Sequence, residues 1–116
     1  MKLIKAIIRP HKLEDTIQAL ARIGVEGMTV VEVRGHGKQK GHTAIYRGTE
    51  YDITLLPKMM VEVMVPDDLL NESIEAIVKA GRTGHIGDGR IFVLPVEEVY
   101  TIRTGEREVE PQLTRL

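Results

Sequence analysis

The chain has 116 residues, a formal charge of −1, three Tyr, one Phe, no Trp and no Cys. That length suits one domain around one modest core. The near-zero charge speaks against a general nucleic-acid binder, and the absence of thiols excludes a disulfide frame and thiolate chemistry.

Residues 2–9, KLIKAIIR, are rich in Ile and stop at Pro10, which predicts a strand. Over residues 12–23, Leu13, Ile17, Leu20 and Ala21 recur at helical spacing, with Glu14, Asp15, Gln18 and Arg22 off that stripe. Gly24 supplies the left-handed residue that caps such a helix. Residues 28–35 alternate, Thr29, Val31 and Val33 against Met28, Val30, Glu32 and Arg34, and predict a second strand. Residues 58–65, KMMVEVMV, predict a third that stops at Pro66. Leu70, Ile74, Ile77 and Val78 mark a second helix over 68–80, closed by Gly81. Residues 90–96, RIFVLPV, predict a fourth strand. Pro95 cannot donate to a ladder, so that strand belongs at an edge or ends there.

The order β-α-β-β-α-β also reads as a weak repeat: strand, Pro10, helix, Gly24, then strand, Pro66, helix, Gly81. It predicts an α+β, ferredoxin-like sandwich, an antiparallel sheet with two helices on one face. The third strand is apolar on both sides, with Met60 and Met64 flanking Glu62 on the side away from Met59, Val61, Val63 and Val65. Two helices cover only one face of a sheet. The other face is then expected to be buried by further copies in a closed homo-oligomer, the alternative being a monomer with an apolar surface. The opening run MKLIKAIIRP is too short for a secretion signal, and no stretch has the length of a membrane span. The expectation is a soluble cytoplasmic protein.

Two segments carry function. Residues 35–57 form an unusually long, polar connection containing Lys38, Lys40, Arg47, Glu50, Asp52, Tyr46 and Tyr51. It is either a partner-contacting loop or a plain hairpin, in which AIY and YDITLL pair around Arg47-Gly48 as an extension of the sheet. Residues 81–92, GRTGHIGDGRIF, place Gly81, Gly84, Gly87 and Gly89 around Asp88. Glycines let backbone N–H groups approach an anion and form a nest, and Arg82, Arg90 and Arg103 are candidates for charge-assisted bonds to phosphate. The alternative is a flexible helix-to-strand turn. Neither a P-loop nor a G-x-G-x-x-G pattern is present. His11, His36, His42 and His85 have no metal-site spacing, and the Met cluster at 59, 60 and 64 reads as packing.

TGHIGDGRIFVLPV (83–96) resembles the B-loop and last-strand motif of the PII nitrogen-regulatory signal-transduction proteins. YRGTEY (46–51) resembles their modification-loop motif, RTGE (103–106) their C-loop, and GKQKGHT (37–43) is a fourth match. The resemblance runs in register from residue 1 to about 107. It implies a single domain over 1–116, with a T-loop at about 37–55, a B-loop at about 82–90 and a C-loop at about 101–106. It also implies a homotrimer that binds ATP or ADP in clefts between neighbouring subunits. Gly87, Asp88, Gly89 and Arg90 would cradle the phosphates. Lys38 stands where the family usually has Arg, Gly35 joins the nucleotide set, and Arg103 would reach in from the neighbour. Thr29, Glu62 and Met64 would line the adenine and ribose. Without the family, Glu62 reads as an exposed or paired carboxylate.

The same resemblance implies a sensor of 2-oxoglutarate. Gln39 would ligate Mg²⁺ shared with ATP and the keto acid, Lys58 would pair with a carboxylate, and backbone N–H groups at Lys40 and Gly41, with Gly87, would complete that site. Such coupling between ligands is typically about 1–3 kcal/mol, and it would reshape the long loop and select partners. The implied partners are an ammonium transporter, enzymes of nitrogen metabolism, and a nucleotidyltransferase modifying Tyr51, which Thr49 and Glu50 precede. Arg47 would plug the transporter pore. No nucleic acid is implied, and membrane contact comes only through the transporter. Departures from the family pattern are Thr101 for a second Arg, Arg90 for Lys, Met64 for Val, Thr49 for a small residue, and the tail REVEPQLTRL. A general base beside an acceptor and a Walker lysine are both missing, so a non-enzymatic sensor is expected.

Overall fold

The structure, a computed structural model, describes residues 1–36, 43–46, 49–52 and 55–110, with 43–46 and 49–52 described as backbone. Strand β1 (Lys2–Ile8) turns Ile4, Ala6 and Ile8 to one side, and all three are buried. A single 3₁₀ turn, Pro10–Lys12, feeds helix α1 (Leu13–Arg22). Strands β2 (Met28–Gly35), β3 (Thr43–Tyr46), β4 (Thr49–Asp52) and β5 (Leu56–Val65) follow. A second 3₁₀ turn, Asp67–Leu69, precedes α2 (Leu70–Gly81), and β6 (Arg90–Pro95) completes the main sheet. The strand order is β2-β5-β1-β6, antiparallel throughout, with both helices against one face. This is the expected ferredoxin-like βαββαβ sandwich.

The core is aliphatic: Ile4, Ala6, Ile8, Val61, Val63 and Val65 from the sheet meet Leu20, Val25 and Ile77. Two hydroxyls are fully buried among them. Thr16 Oγ1 donates to the Lys12 carbonyl and Ser73 Oγ to the Leu69 carbonyl, each at 2.8 Å. Both bonds reach four residues back across the 3₁₀-to-α junction, so the internal repeat extends to its hydrogen bonding. Neither polar group is left without a partner in the core.

Several boundaries differ from the sequence expectation. Both helices begin one or two residues later than predicted, because the prolines at 10 and 66 are followed by 3₁₀ turns, closed by Lys12 N–H to Arg9 O and Leu69 N–H to Pro66 O, both 3.0 Å. Gly24 is left-handed, φ 86°, and donates to Ala21 O as a cap should. Gly81 is not such a cap. It is the last helical residue, and Arg82 closes the helix in an extended conformation, its N–H on Val78 O at 3.1 Å. Strand β5 starts at Leu56, two residues early, and takes Pro57 into its pairing with Arg34. Strands β3 and β4 pair with each other as a separate two-stranded sheet, not as an extension of the main one. Strand β6 is an edge strand and ends at Pro95, as that residue requires.

The face opposite the helices is read off the pairing. Thr29, Glu62, Lys5 and Phe92 stand in one row across the sheet, and Val31, Met60, Ile7 and Arg90 in the next. Val31, Phe92 and Leu94 are exposed there. The mixture of apolar side chains with a few charges is the pattern from which a buried assembly face was expected. No helix among the described residues is long and apolar enough to cross a membrane.

Candidate functional site

The segment joining α2 to β6 folds around one carboxylate. Asp88 Oδ2 accepts the backbone N–H groups of Thr83 at 2.9 Å and Gly84 at 2.8 Å. Its Oδ1 accepts the Thr83 hydroxyl and, at 3.0 Å, Arg9 Nε. The Thr83 hydroxyl oxygen in turn accepts the His85 N–H at 3.2 Å. Arg9 Nη2 donates to the Ile86 carbonyl at 3.1 Å, and Lys58 Nζ donates to the Gly87 carbonyl at 2.6 Å. Two successive carbonyls are thus held by cations from the ends of β1 and β5. Gly87 and Gly89, at φ 106° and 107°, make the reversals that this requires.

These contacts set the local electrostatics. The Thr83 hydroxyl has the largest effect and lowers the Asp88 carboxyl; burial opposes it next, and the Thr83 N–H, Arg9 and the Gly84 N–H add to the lowering, so the carboxyl lies far below the ordinary carboxylate range. Lys58 is 7% exposed, and burial lowers its pKa. Arg9 lowers it further, while the charge of Asp88 pushes it back up. Asp88 therefore lets two cations approach the same loop.

A cavity of about 500 Å³ opens over this loop, lined by Gly35, Lys58, Gly87, Gly89 and Arg90 together with Arg34, His36, Ile7, Ile86 and Phe92. Five residues singled out by sequence meet here. Asp88 is not among the lining residues: its carboxylate orders the loop from beneath. A second cavity, about 520 Å³, collects Thr29, Glu62, Met64 and Arg103, with Thr101, Tyr100 and Glu108. Its wall is a hairpin that the sequence reading did not foresee, closed by Thr101 N–H to Glu106 O at 2.9 Å and by the Tyr100–Arg107 bridge. Glu62 pairs with Lys5 at 4.0 Å across the open face, so it is the paired carboxylate of the simpler reading while still lining this cavity.

The two cavities share no lining residue. Lys58 and Glu62 lie four residues apart on β5, about 13 Å along a strand. The three arginines do not all converge: Arg82 and Arg90 share a pocket of about 400 Å³ beside α2, Arg90 also lines the cavity over the loop, and Arg103 lines the second cavity. A larger groove, about 630 Å³, runs between α1 and α2, but it gathers none of the residues singled out as ligands. Lys38, Gln39, Lys40, Gly41 and Arg47 lie outside the described residues, as does the tail from Pro111. Tyr51 is in β4, opposite Ala44. Among the described residues no cluster of three His, Asp or Glu side chains forms a metal centre.

Arg9 and Thr83 were missed as loop-ordering groups. The only sequence signal for them was proximity, Thr83 lying inside the glycine segment and Arg9 just before Pro10. The depressed Asp88 carboxyl yields a pH prediction. Its folded pKa lies below its unfolded value, so its stabilisation is complete above about pH 5 and is lost as pH falls through about 4 toward the folded value. Urea midpoints of the native protein and Asp88→Asn are expected to differ by a constant amount from pH 7 to 5 and to differ measurably less at pH 3, without yet converging. A gap unchanged at pH 3 would mean that the charge of Asp88 does not hold the loop.

A family model described as nitrogen regulatory protein P-II matches residues 1–106. Nitrogen regulatory protein P-II 1 of Escherichia coli (strain K12) is 53% identical over 108 residues, covering 93% of this chain and 96% of the relative. Nitrogen regulatory protein P-II of Haemophilus influenzae is 56% identical over 106 residues, 91% and 95% of the two chains, and that of Azospirillum brasilense 55% over 107 residues, 92% and 96%.

Proposed function

The chain belongs to the nitrogen regulatory protein P-II family, and we propose on that footing that it is a cytoplasmic, non-enzymatic regulator that binds ATP or ADP and, with Mg²⁺ and ATP, 2-oxoglutarate. The observation that carries the reading is the cationic cavity in which Gly35, Lys58, Gly87, Gly89 and Arg90 meet. Among the described residues its lining includes Arg34, Lys58 and Arg90 and no carboxylate, a donor set suited to phosphate and carboxylate ligands. Its volume falls within the range of small-molecule sites.

The base-binding half is the second cavity, where Thr29, Glu62 and Met64 meet Arg103. Because the two cavities are separate on one chain, one copy supplies the phosphate half of each site and its neighbour the base half, in a homotrimer. The apolar open face supports that arrangement, since it offers a surface for copies to bury. Thr101 sits in the base-side cavity where the family usually has Arg, which removes one cation from it.

Gln39 would hold Mg²⁺ beside bound ATP, where the ion would neutralise phosphate charge. Lys58, with the backbone at Lys40 and Gly41, takes the carboxylates of 2-oxoglutarate. The state of the long loop then selects an ammonium transporter, through Arg47, or enzymes of nitrogen metabolism. A nucleotidyltransferase acting on Tyr51 would add a bulky anion that blocks a close fit.

Calorimetric titration of 2-oxoglutarate, run with Mg·ATP, with Mg·ADP and without nucleotide, tests the coupled sensor. Heat of binding is expected only with Mg·ATP. Equal affinity in all three conditions would sink the coupling, and nucleotide binding with no response to 2-oxoglutarate would reduce the protein to a sensor of adenine nucleotides.

A further inference from the structure

We infer that Arg9 is a positioning residue for the anion-binding loop, fixing Ile86–Gly89 against strand β1 before any ligand arrives. The inference rests on the proposed nucleotide site and adds to it a residue that bonds the loop itself. Arg9 follows the last residue of β1, which is hydrogen-bonded to β5 on one side and β6 on the other. Its backbone is extended, φ −65° and ψ 141°, and its carbonyl is held by the Lys12 N–H at 3.0 Å. The guanidinium therefore projects from a fixed base, and its side chain is only 18% exposed.

From that base it makes two bonds in different directions, Nε to Asp88 Oδ1 and Nη2 to the Ile86 carbonyl. The planar fork can serve a carboxylate and a carbonyl together, which a lysine ammonium on a flexible stem does poorly. Through Asp88 the restraint reaches the N–H groups of Thr83 and Gly84. The other end of the loop is set by the same strand, because Gly89 lies directly against the Ile7 carbonyl. One strand thus gauges both ends of the segment whose glycines would face phosphate.

The test uses the full-length protein with Arg9→Ala and Arg9→Lys. Amide hydrogen exchange of residues 83–89 is read without nucleotide, ATP affinity is read by calorimetry, and the urea midpoint is read alongside. Arg9→Ala is expected to speed exchange at Thr83 and Gly84 by about tenfold or more and to weaken ATP by a similar factor, as loss of charge-assisted bonds implies. The amides of β1 and β5 should stay protected, and Arg9→Lys should fall between. Arg9→Ala combined with Asp88→Asn should lose little more than the worse single variant, because both break one connection. Unchanged exchange at 83–89 would overturn the inference. So would loss of protection spread evenly over the core, which would make Arg9 a general stabiliser. If the native protein fails to bind ATP, the nucleotide reading falls, and with it a ligand role for Arg9, while the exchange data still decide whether Arg9 orders the loop.

Discussion

Gly89→Ala is expected to be severely damaging, destabilising the fold by about 3 kcal/mol or more and weakening ATP by at least about 100-fold. A Cβ at this position would lie 1.7 Å from the Ile7 carbonyl oxygen and 2.7 Å from its carbon. Both are backbone atoms of the central strand, and no rotamer change relieves them. The residue also sits at φ +107°, where side chains are disfavoured regardless of space. The neighbouring pair Ile7–Arg90 would be forced apart, loosening the start of β6 and moving Arg90 away from the cavity. Gly84→Ala is the control. At φ +90° it carries similar backbone strain but meets no atom within 4 Å, so a cost of about 1–2 kcal/mol is expected. Urea unfolding and ATP calorimetry on both variants decide the matter. Equal effects at the two positions would mean that contact with Ile7 contributes nothing.

Lys58→Met should separate the two ligands. Methionine retains most of the aliphatic stem that lies against Gly35, where an added Cβ would come within 3.1 Å of Lys58 Cγ. What disappears is the ammonium, 2.6 Å from the Gly87 carbonyl. Losing one member of a buried charge pair weakens binding by at least about 30-fold, so 2-oxoglutarate affinity in Mg·ATP should fall by that much or vanish. ATP itself should weaken by less than about tenfold, since Gly89 and Arg90 remain. Gln39→Ala is expected to give the same separation. Parallel loss of both ligands in Lys58→Met would assign Lys58 to the loop alone, as the tether of Gly87.

The fold was legible because its signals are periodic. Ile4, Ala6 and Ile8 alternate, Leu13, Ile17 and Leu20 recur at helical steps, and Pro10, Gly24, Pro66 and Pro95 punctuate them. The misplacements are at element ends: the 3₁₀ turns at Pro10 and after Pro66 are not distinguished from a helix start by hydrophobic spacing, and β5 begins two residues before Lys58. The hairpin carrying Thr101 and Arg103 escaped because it is held by backbone bonds in a polar segment with no alternation. The site was legible as a glycine-rich, cationic segment. Its wiring was not: Arg9 to Asp88 and Lys58 to Gly87 join residues 79 and 29 positions apart. A side chain bound to a carbonyl leaves no mark on the identity of the residue that owns the carbonyl.

The sheet order has a consequence for synthesis. Because β5 lies between β1 and β2, neither strand from the first third of the chain has a partner in the main sheet until residues 56–65 have left the ribosome. At ordinary elongation rates that delay lasts roughly 2–10 s after β1 emerges. Throughout it KLIKAII remains an apolar segment with both edges open, and nascent-chain chaperones have that window in which to engage it. A fragment ending before Leu56 would contain both strands and no main-sheet ladder to join them, so β1 and β2 can enter the main sheet only once β5 has been made.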